Sequence, residues 1–163
     1  MRHWIVVALG VATFVAAAIL IGLLMTLPYP AQALERVRLQ RGELEILARV
    51  VQAEATGEPA AGQRAVVWTV INRMKRPDVY GRTLTRVILA PYQYAKPVPL
   101  TDNAEAFLRA LLASVQVLLG EVDDDSRGGT HFYRCDMPRP PRWAKRFKRT
   151  VRLGQHCFHS DGR

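Results

Sequence analysis

The feature that most constrains this chain is a run of 24 residues without a charge, from Trp4 to Leu27. A helix of that length can cross the hydrocarbon core of a bilayer with some tilt. A buried helix of a globular domain is disfavoured, because such helices keep a polar face for water. Two interpretations stay open. We favour a retained membrane anchor, since the run exceeds an ordinary signal-peptide core; the alternative is a signal peptide with Arg2 before the run and AQA ending at Ala33.

The chain therefore divides into three parts. Residues 1–33 are the anchor or signal segment, residues 34–41 form a basic linker, and residues 42–163 have the length of one folded domain. The membrane orientation stays open, because three arginines follow the apolar run and only one precedes it. By the positive-inside rule, that distribution mildly opposes a domain outside the cell.

The part after the apolar segment is strongly basic. Residues 34–163 contain 22 Lys+Arg against 14 Asp+Glu, which suits an anionic partner such as nucleic acid, phospholipid head groups or an acidic cell wall. Much of this charge lies in RCDMPRPPRWAKRFKRTVR, where a solvated helix face is the alternative interpretation. No zinc finger, RNA-recognition motif or basic zipper is present, so we do not expect a nucleic-acid partner.

Two cysteines, Cys135 and Cys157, lie in the last third of the chain. In an exported domain they could form a disulfide that closes a loop of about 22 residues, whereas in the cytosol they would be two small apolar side chains. Three histidines are nearby, but neither C-x-x-C nor H-E-x-x-H spacing occurs. We therefore expect no metal site.

Apolar periodicity predicts a mainly α domain with a small β-sheet, an α+β fold. Helices are expected at 42–55, 60–75 and 101–120, the last beginning with Asp102 and Glu105 as a capping pair. Residues 82–99 are expected to form at most a short helix before their prolines, and otherwise a loop that displays aromatic side chains. The acidic stretch EVDDDSRGG predicts a solvated turn rather than a calcium loop. THFYRC and HCFHS predict strands, with a basic helix from about Trp143 to Leu153 between them.

Glu54 occupies an unusual position in the first predicted helix. It lies seven residues after Leu47, which places its carboxylate along the apolar stripe. Burial and the negative end of the helix dipole both predict a raised pKa for Glu54, whereas Glu58 precedes the second helix, where the dipole favours ionisation. Such a separation is typical of an acid and its partner. The alternatives are a carboxylate bonded to Arg73 or Asn72, and a plain helix-cap role for Glu58.

The segment ARVVQAEATGEPAAGQRAVVWTVINRM resembles the opening signature of the SleB/CwlJ-type cell-wall hydrolases. The matching positions are Glu54, Gly57, Glu58, Pro59, Gly62, Gln63, Asn72 and Arg73. Three later segments, PYQYA, GGTHFY and RLGQHCFH, resemble the family in the same order, so the likeness covers about residues 44–160. The departures are Ala95, where a serine is common, and the unusually basic PRPPRWAKRFKRT.

The resemblance implies a peptidoglycan glycosidase with a lysozyme-like, two-lobed helical fold and no cofactor. Glu54 would be the general acid at the β-1,4 bond between N-acetylmuramic acid and N-acetylglucosamine. We prefer a lytic transglycosylase, which needs no second carboxylate because the muramyl 6-hydroxyl attacks. An ordinary hydrolase would need another carboxylate, for which Glu58 is the candidate in this signature.

By the same resemblance, Gln93, Tyr94, His131 and Tyr133 would line the cleft for the glycan strand, and Asn72 and Arg73 would brace Glu54 or end their helix. The expected location is the cytoplasmic membrane, as a single-pass protein whose domain faces the periplasm or cell wall, or outside the cell after signal cleavage. Cell-wall remodelling and phage lysis, by an endolysin, both fit. The rival from another class is a non-catalytic, membrane-anchored protein that binds the cell wall.

Overall fold

The computed structural model describes residues 42–99 and 103–162, all within the compact unit Val37–Arg163. The predicted membrane segment and linker lie outside this range, so both stay predictions. Within the described part, none of the helices has the length and apolar character needed to span a membrane.

Two consecutive helices form the centre of the domain. Helix α1 covers Glu43–Ala55 and helix α2 covers Ala60–Met74, which confirms both predictions to within one residue. The turn between them is sharp because Gly57 adopts a φ of +88°, a left-handed conformation that glycine accepts without strain. This turn places the end of α1 beside the start of α2.

Helix α5, Ala104–Leu118, packs against both α1 and α2. Its N-cap is Asn103, whose side chain accepts a hydrogen bond of 2.9 Å from the backbone of Ala106. The predicted capping pair was therefore wrong: the N-cap is Asn103, one residue after Asp102, and its side chain satisfies a free N–H group of the first turn. Two short helices, α3 (Pro77–Tyr80) and α4 (Leu84–Ile88), separate α2 from α5, and α4 packs on α1 and α2.

The core lies between these helices and one face of a small sheet. It consists of aliphatic side chains with one aromatic ring at its centre: Leu47, Val50, Val51, Val66, Val67, Val70, Leu84, Val87, Ala110, Val117 and Phe158. Because these residues recur at helical spacing in α1 and α2, the apolar stripes alone indicated most of this core.

Three antiparallel strands form the sheet in the order β1-β3-β2. Strand β1 is His131–Arg134, β2 is Lys148–Leu153 and β3 is His156–Ser160. The predicted strands β1 and β3 are confirmed, and the domain is mainly helical with a small sheet, as expected.

The predicted basic helix from Trp143 to Leu153 was wrong. The chain forms a short 3-10 helix at Arg142–Lys145 and then enters β2. Strand β2 pairs with the buried strand β3 through a two-residue hairpin, which the positive φ of Gly154 permits. The strand is stabilised by its pairing with β3, which the basic composition of the segment does not indicate.

The acidic stretch before β1 is a turn, as predicted, but only part of it is solvated. The carboxylate of Asp124 accepts hydrogen bonds from the backbone of Ser126 and Gly128, at 2.9 and 2.8 Å. Asp125 forms a salt bridge of 2.7 Å with Arg64 of α2. These contacts fold the acidic turn onto the helices and fix where β1 begins.

Cys135 and Cys157 form the disulfide predicted for an exported domain, with their Cα atoms 5.3 Å apart. Cys135 follows β1 and Cys157 lies within β3, so the bond joins two neighbouring strands. Cys157 is 2% exposed, so its half of the bridge is buried.

Replacing both cysteines by alanine should lower the free energy of unfolding by about 3 kcal/mol, the loop-closure value for a separation of 22 residues. Denaturant unfolding of the full chain measures this. Cys135→Ala alone and the chemically reduced protein serve as matched comparisons and should lose about as much. An unchanged unfolding midpoint in all three would contradict a stabilising bridge.

Candidate active site

A cleft of about 350 Å³ opens beside the C-terminal turn of α1. Its walls come from α1, α2, the loop after α4, β1 and the 3-10 helix. The lining residues are Glu54, Arg73, Tyr92, Gln93, His131, Phe132, Pro141 and Trp143. Among the described residues that line it, Glu54 is the one carboxylate. Three of the predicted site residues besides Glu54, namely Arg73, Gln93 and His131, lie in this cleft.

Glu54 is half-buried and borders the apolar stripe of α1, as its helical phase predicts. Burial raises the pKa of its carboxyl group, opposed by a hydrogen bond from the backbone N–H of Ala95 and by the positive charge of Arg73. The predicted direction is confirmed. The alternative of a direct bond to Arg73 or Asn72 was wrong, because the backbone of Ala95 supplies the hydrogen bond.

Arg73 places a buried positive charge at the cleft. It is 3% exposed, and its Nε donates a hydrogen bond of 2.7 Å to the carbonyl of Thr130. Its guanidinium lies 4.7 Å from the ring centre of Tyr94 and 5.3 Å from that of Tyr80. In the described part of the chain, no carboxylate lies within 4 Å of it. The guanidinium therefore packs against the rings of Tyr80 and Tyr94 and is not neutralised by a salt bridge within the described residues, so its positive charge can act on Glu54 and on a ligand.

His131 lies on the β1 side of the cleft. Its ring centre is 5.1 Å from that of Trp143 and 4.8 Å from that of Phe147, and its Nδ1 is 3.0 Å from the hydroxyl of Thr130. Burial, followed by the positive charge of Arg73, lowers the pKa of the His131 imidazole to about 4. At neutral pH the ring is therefore uncharged, and it can exchange hydrogen bonds with a neutral ligand.

Tyr94 does not line the cleft, which corrects its predicted role in binding. Its side chain packs into the core, and its hydroxyl lies 3.0 Å from that of Thr69. Burial raises the pKa of the Tyr94 phenol. Tyr92 occupies the cleft instead, fully exposed and with a φ of 61°. The sequence indicated a loop with displayed aromatic side chains, but an irregular loop has no period that shows which tyrosine faces out.

Tyr133 is likewise not a lining residue. It lies on the same face of β1 as His131, and its ring centre is 5.7 Å from that of Trp143 and 5.4 Å from that of His159. Tyr133 therefore packs against Trp143 without lining the cleft itself. Phe132 points to the other face, where it packs on Phe158 and reaches the cleft edge. Trp143 and Pro141 were missed because their segment was interpreted as a basic helix.

Asn72 contacts the acidic turn rather than Glu54. Its Nδ2 donates to Asp124 at 2.8 Å, to Ser126 at 3.2 Å and to the carbonyl of Gly129 at 3.1 Å. Asn72 and Arg73 lie in the last turn of α2, which ends at Met74, and their side chains hold the chain just before β1.

Glu58 lies outside the cleft lining. Its side chain is 7% exposed, and its two oxygens lie 3.3 and 3.1 Å from the backbone nitrogen of Gln155, which donates to them. A Cβ atom at Gly154 would lie 1.9 Å from this carboxylate. Glu58 thus anchors the hairpin between β2 and β3 onto the helices, a larger role than a plain helix cap.

Gly154→Ala should destabilise the domain by about 3 kcal/mol, because the new methyl group displaces the Glu58 carboxylate and strains a left-handed residue. Gly128→Ala is the matched control: its φ is also positive, but no atom lies within 4 Å of the added Cβ, so about 1 kcal/mol is expected. Denaturant unfolding compares the two, and equal losses would rule out the contact with Glu58.

Glu54→Gln should stabilise the folded chain at neutral pH and have little effect near pH 4. The raised pKa means that the folded state binds the proton more tightly than the unfolded state does. While Glu54 is protonated in both the folded and the unfolded chain, it does not lower the free energy of unfolding. That free energy falls as the pH rises through the raised pKa of the folded state, where the buried group becomes charged. Thermal unfolding of both forms between pH 4 and 8 measures the difference, and a pH-independent difference would contradict the assignment.

Within the described ranges, no group of three or more His, Cys, Asp or Glu side chains is arranged to hold a metal ion. The cleft does contain protonatable groups, namely one carboxyl with a raised pKa and one uncharged imidazole beside a buried guanidinium.

Comparison with known proteins supplies a family. The sequence model of the cell wall hydrolase family matches residues 57–159, a span that contains Gln93 and His131 and begins three residues after Glu54. A spore cortex-lytic enzyme of Halalkalibacterium halodurans is 28% identical over 120 residues, or 71% of this chain. The chain spans about a third of that relative's length, since the match covers 34% of it.

Two solved structures share the fold. The catalytic domain of the germination-specific lytic transglycosylase SleB from Bacillus anthracis aligns with a TM-score of 0.60 at 20% identity, covering 76% of this chain and 98% of that domain. The catalytic domain of the Bacillus cereus SleB protein aligns with the same TM-score and identity, over 74% and 91% of the two chains.

Proposed function

Because this chain belongs to the cell wall hydrolase family, we propose that it degrades peptidoglycan, as a lytic transglycosylase that uses Glu54 as its acid and base. One observation carries the choice of residue. Glu54 is a half-buried carboxyl with a raised pKa in a cleft whose other walls are aromatic, amide and cationic. Such a group holds a proton at a higher pH than an exposed glutamate does, as a general acid must.

The proposed reaction uses one carboxyl group twice. Glu54 donates its proton to the oxygen between N-acetylmuramic acid and N-acetylglucosamine, and the bond from that oxygen to the muramyl C1 breaks. Positive charge develops at C1, and the 6-hydroxyl of the same muramyl residue attacks it. The Glu54 carboxylate then accepts the hydroxyl proton, which leaves a 1,6-anhydro end.

The surroundings of Glu54 support this route over hydrolysis. An ordinary glycosidase needs a second carboxylate about 5–5.5 Å away for retention or about 6.5–9.5 Å away for inversion. Within the described part of the cleft lining there is no second carboxylate, and Glu58 is bonded to the β2–β3 hairpin instead. The intramolecular hydroxyl removes the need for a base that activates water.

The remaining lining residues have clear tasks in this reaction. Tyr92 and Trp143 present ring faces on which the apolar faces of sugars can stack. Gln93 and the uncharged His131 can hydrogen-bond hydroxyl and acetamido groups. Arg73 keeps the pKa of Glu54 from rising further, which suits a group that must give up its proton and take one back.

We also propose that the domain works outside the cytoplasm, held there by Trp4–Leu27 or exported after cleavage of that segment. The disulfide between Cys135 and Cys157 supports this location, because such bonds persist in oxidising compartments. The two-lobed, lysozyme-like arrangement remains a prediction that belongs to this proposal.

Glu54→Gln should lower the rate of muropeptide release by at least about a hundredfold, the usual contribution of a general acid. Glu58→Gln is the matched control, and it should keep most of the activity at temperatures where it stays folded. Mass spectrometry of digested peptidoglycan should find 1,6-anhydro-muramyl ends. Reducing ends would refute the transglycosylase, equal rates would refute Glu54, and no release by the unmodified chain would favour a binding protein.

A further inference from the structure

The positive charge of this domain is concentrated in one short segment. Residues 42–163 contain 19 Lys+Arg and 13 Asp+Glu. Seven of the cations and none of the acids lie between residues 139 and 152, so the rest of the domain has 12 cations against 13 acids. The entire positive excess therefore belongs to the basic strip, which consists of Arg139, Arg142, Lys145, Arg146, Lys148, Arg149 and Arg152.

The strip is exposed, and its charges are not neutralised by the protein. All seven side chains are exposed, and in the described part of the chain none of them lies within 4 Å of a carboxylate. Several arginines elsewhere do form salt bridges, among them Arg49 with Glu45 and Arg64 with Asp125. Seven unpaired cations within 14 residues repel one another, so the strip costs stability unless an anion binds to it.

The strip is continuous with the cleft. Pro141 and Trp143 stand among its cations in the sequence, and both line the cleft beside Glu54. The ring of Trp143 lies 5.1 Å from His131 and 5.6 Å from Phe147, which holds this part of the strip against the sheet. Its C-terminal part continues as strand β2. An anionic polymer in the cleft would therefore meet the strip on leaving it.

We infer that the basic strip binds the carboxylates of the peptide stems carried by the glycan strand, and so selects peptide-bearing, anionic peptidoglycan as the substrate. This inference rests on the proposed function. The glycan chain itself is neutral where each lactyl group is amide-linked to a peptide, so the negative charge recurs on the stems beside the bond that is cleaved. Arginine suits this task, because its planar fork matches a carboxylate with two hydrogen bonds.

The inference is tested by binding, with the full chain carrying Glu54→Gln so that the substrate stays intact. The strip variant replaces Arg139, Arg142, Lys145 and Arg146 by glutamine. The control variant replaces Arg82, Arg86, Arg109 and Arg127, four exposed arginines outside the strip, and changes the net charge equally. Co-sedimentation in non-ionic detergent compares intact peptidoglycan sacculi with sacculi whose carboxylates have been converted to amides.

The strip variant should bind intact sacculi about tenfold more weakly at 0.1 M salt, since several exposed ion pairs each contribute a small amount. The control variant should lose less than about twofold, because none of its four side chains lines the cleft or belongs to the strip. On amidated sacculi, the strip variant and its parent should bind alike, and raising the salt should remove the difference on intact sacculi.

Three results would overturn the inference. The first is an equal loss of binding in the strip and control variants, and the second is strip-dependent binding that survives amidation of the sacculi. The third is a strip-dependent preference for anionic over zwitterionic vesicles, or for DNA, that exceeds the strip-dependent binding to sacculi. Strip-dependent binding by a chain that releases no muropeptides in its unmodified form would support the strip while refuting the proposed function. Normal muropeptide release by the unmodified chain, together with equal binding by the strip and control variants, would refute the role of the strip and support the proposed function.

Discussion

The position of the cleft depends on the hydrogen bonds that Asn72 and Arg73 make with the chain just before β1. Both side chains are buried, and together they bind the acidic turn and the carbonyls of Gly129 and Thr130. A buried amide and guanidinium are costly unless they are hydrogen-bonded, so these contacts hold one register between helix α2 and the sheet. Because β1 starts at this junction, the same bonds place His131, and Trp143 packed on it, across from Glu54. The hydrogen bonds made by Asn72 and Arg73 at the end of α2 therefore determine where the cleft lies.

The two glutamates at the end of α1 show how strongly environment separates identical side chains. Glu58 has both oxygens at the backbone N–H of a hairpin that only glycine could form so closely, and it acts as a structural anchor. Glu54 receives one backbone hydrogen bond and lies at an apolar border near a cation, so burial raises its pKa while the group stays within reach of a ligand. A four-residue offset across a helix end is enough to separate a structural anchor from a cleft-lining carboxyl with a raised pKa.

The small sheet connects the cleft to the basic strip. One face carries Phe132 and Phe158 into the core, and the other supports the aromatic cluster around His131 and Trp143. That cluster holds the first part of the basic strip at the cleft edge, and β2 carries the rest of the strip away from it. The charge that distinguishes this domain is therefore attached to the same rigid element that completes the site of the proposed chemistry.

Local sequence was sufficient for the three long helices, for β1 and β3, for most of the core, and for the burial and raised pKa of Glu54. These features depend on interactions between residues a few positions apart, such as an apolar stripe or a glycine that ends a helix. Strand β2, the exchange of Tyr94 for Tyr92 in the cleft, and the use of Asn72 on the acidic turn instead of Glu54 were decided by the folded chain. The last two depend on partners distant in sequence, the hydroxyl of Thr69 and the turn at Asp124, whereas β2 pairs with β3 across a two-residue hairpin that the basic composition did not indicate. Periodicity indicates which face of a segment is apolar, but it does not identify the residues against which that face packs.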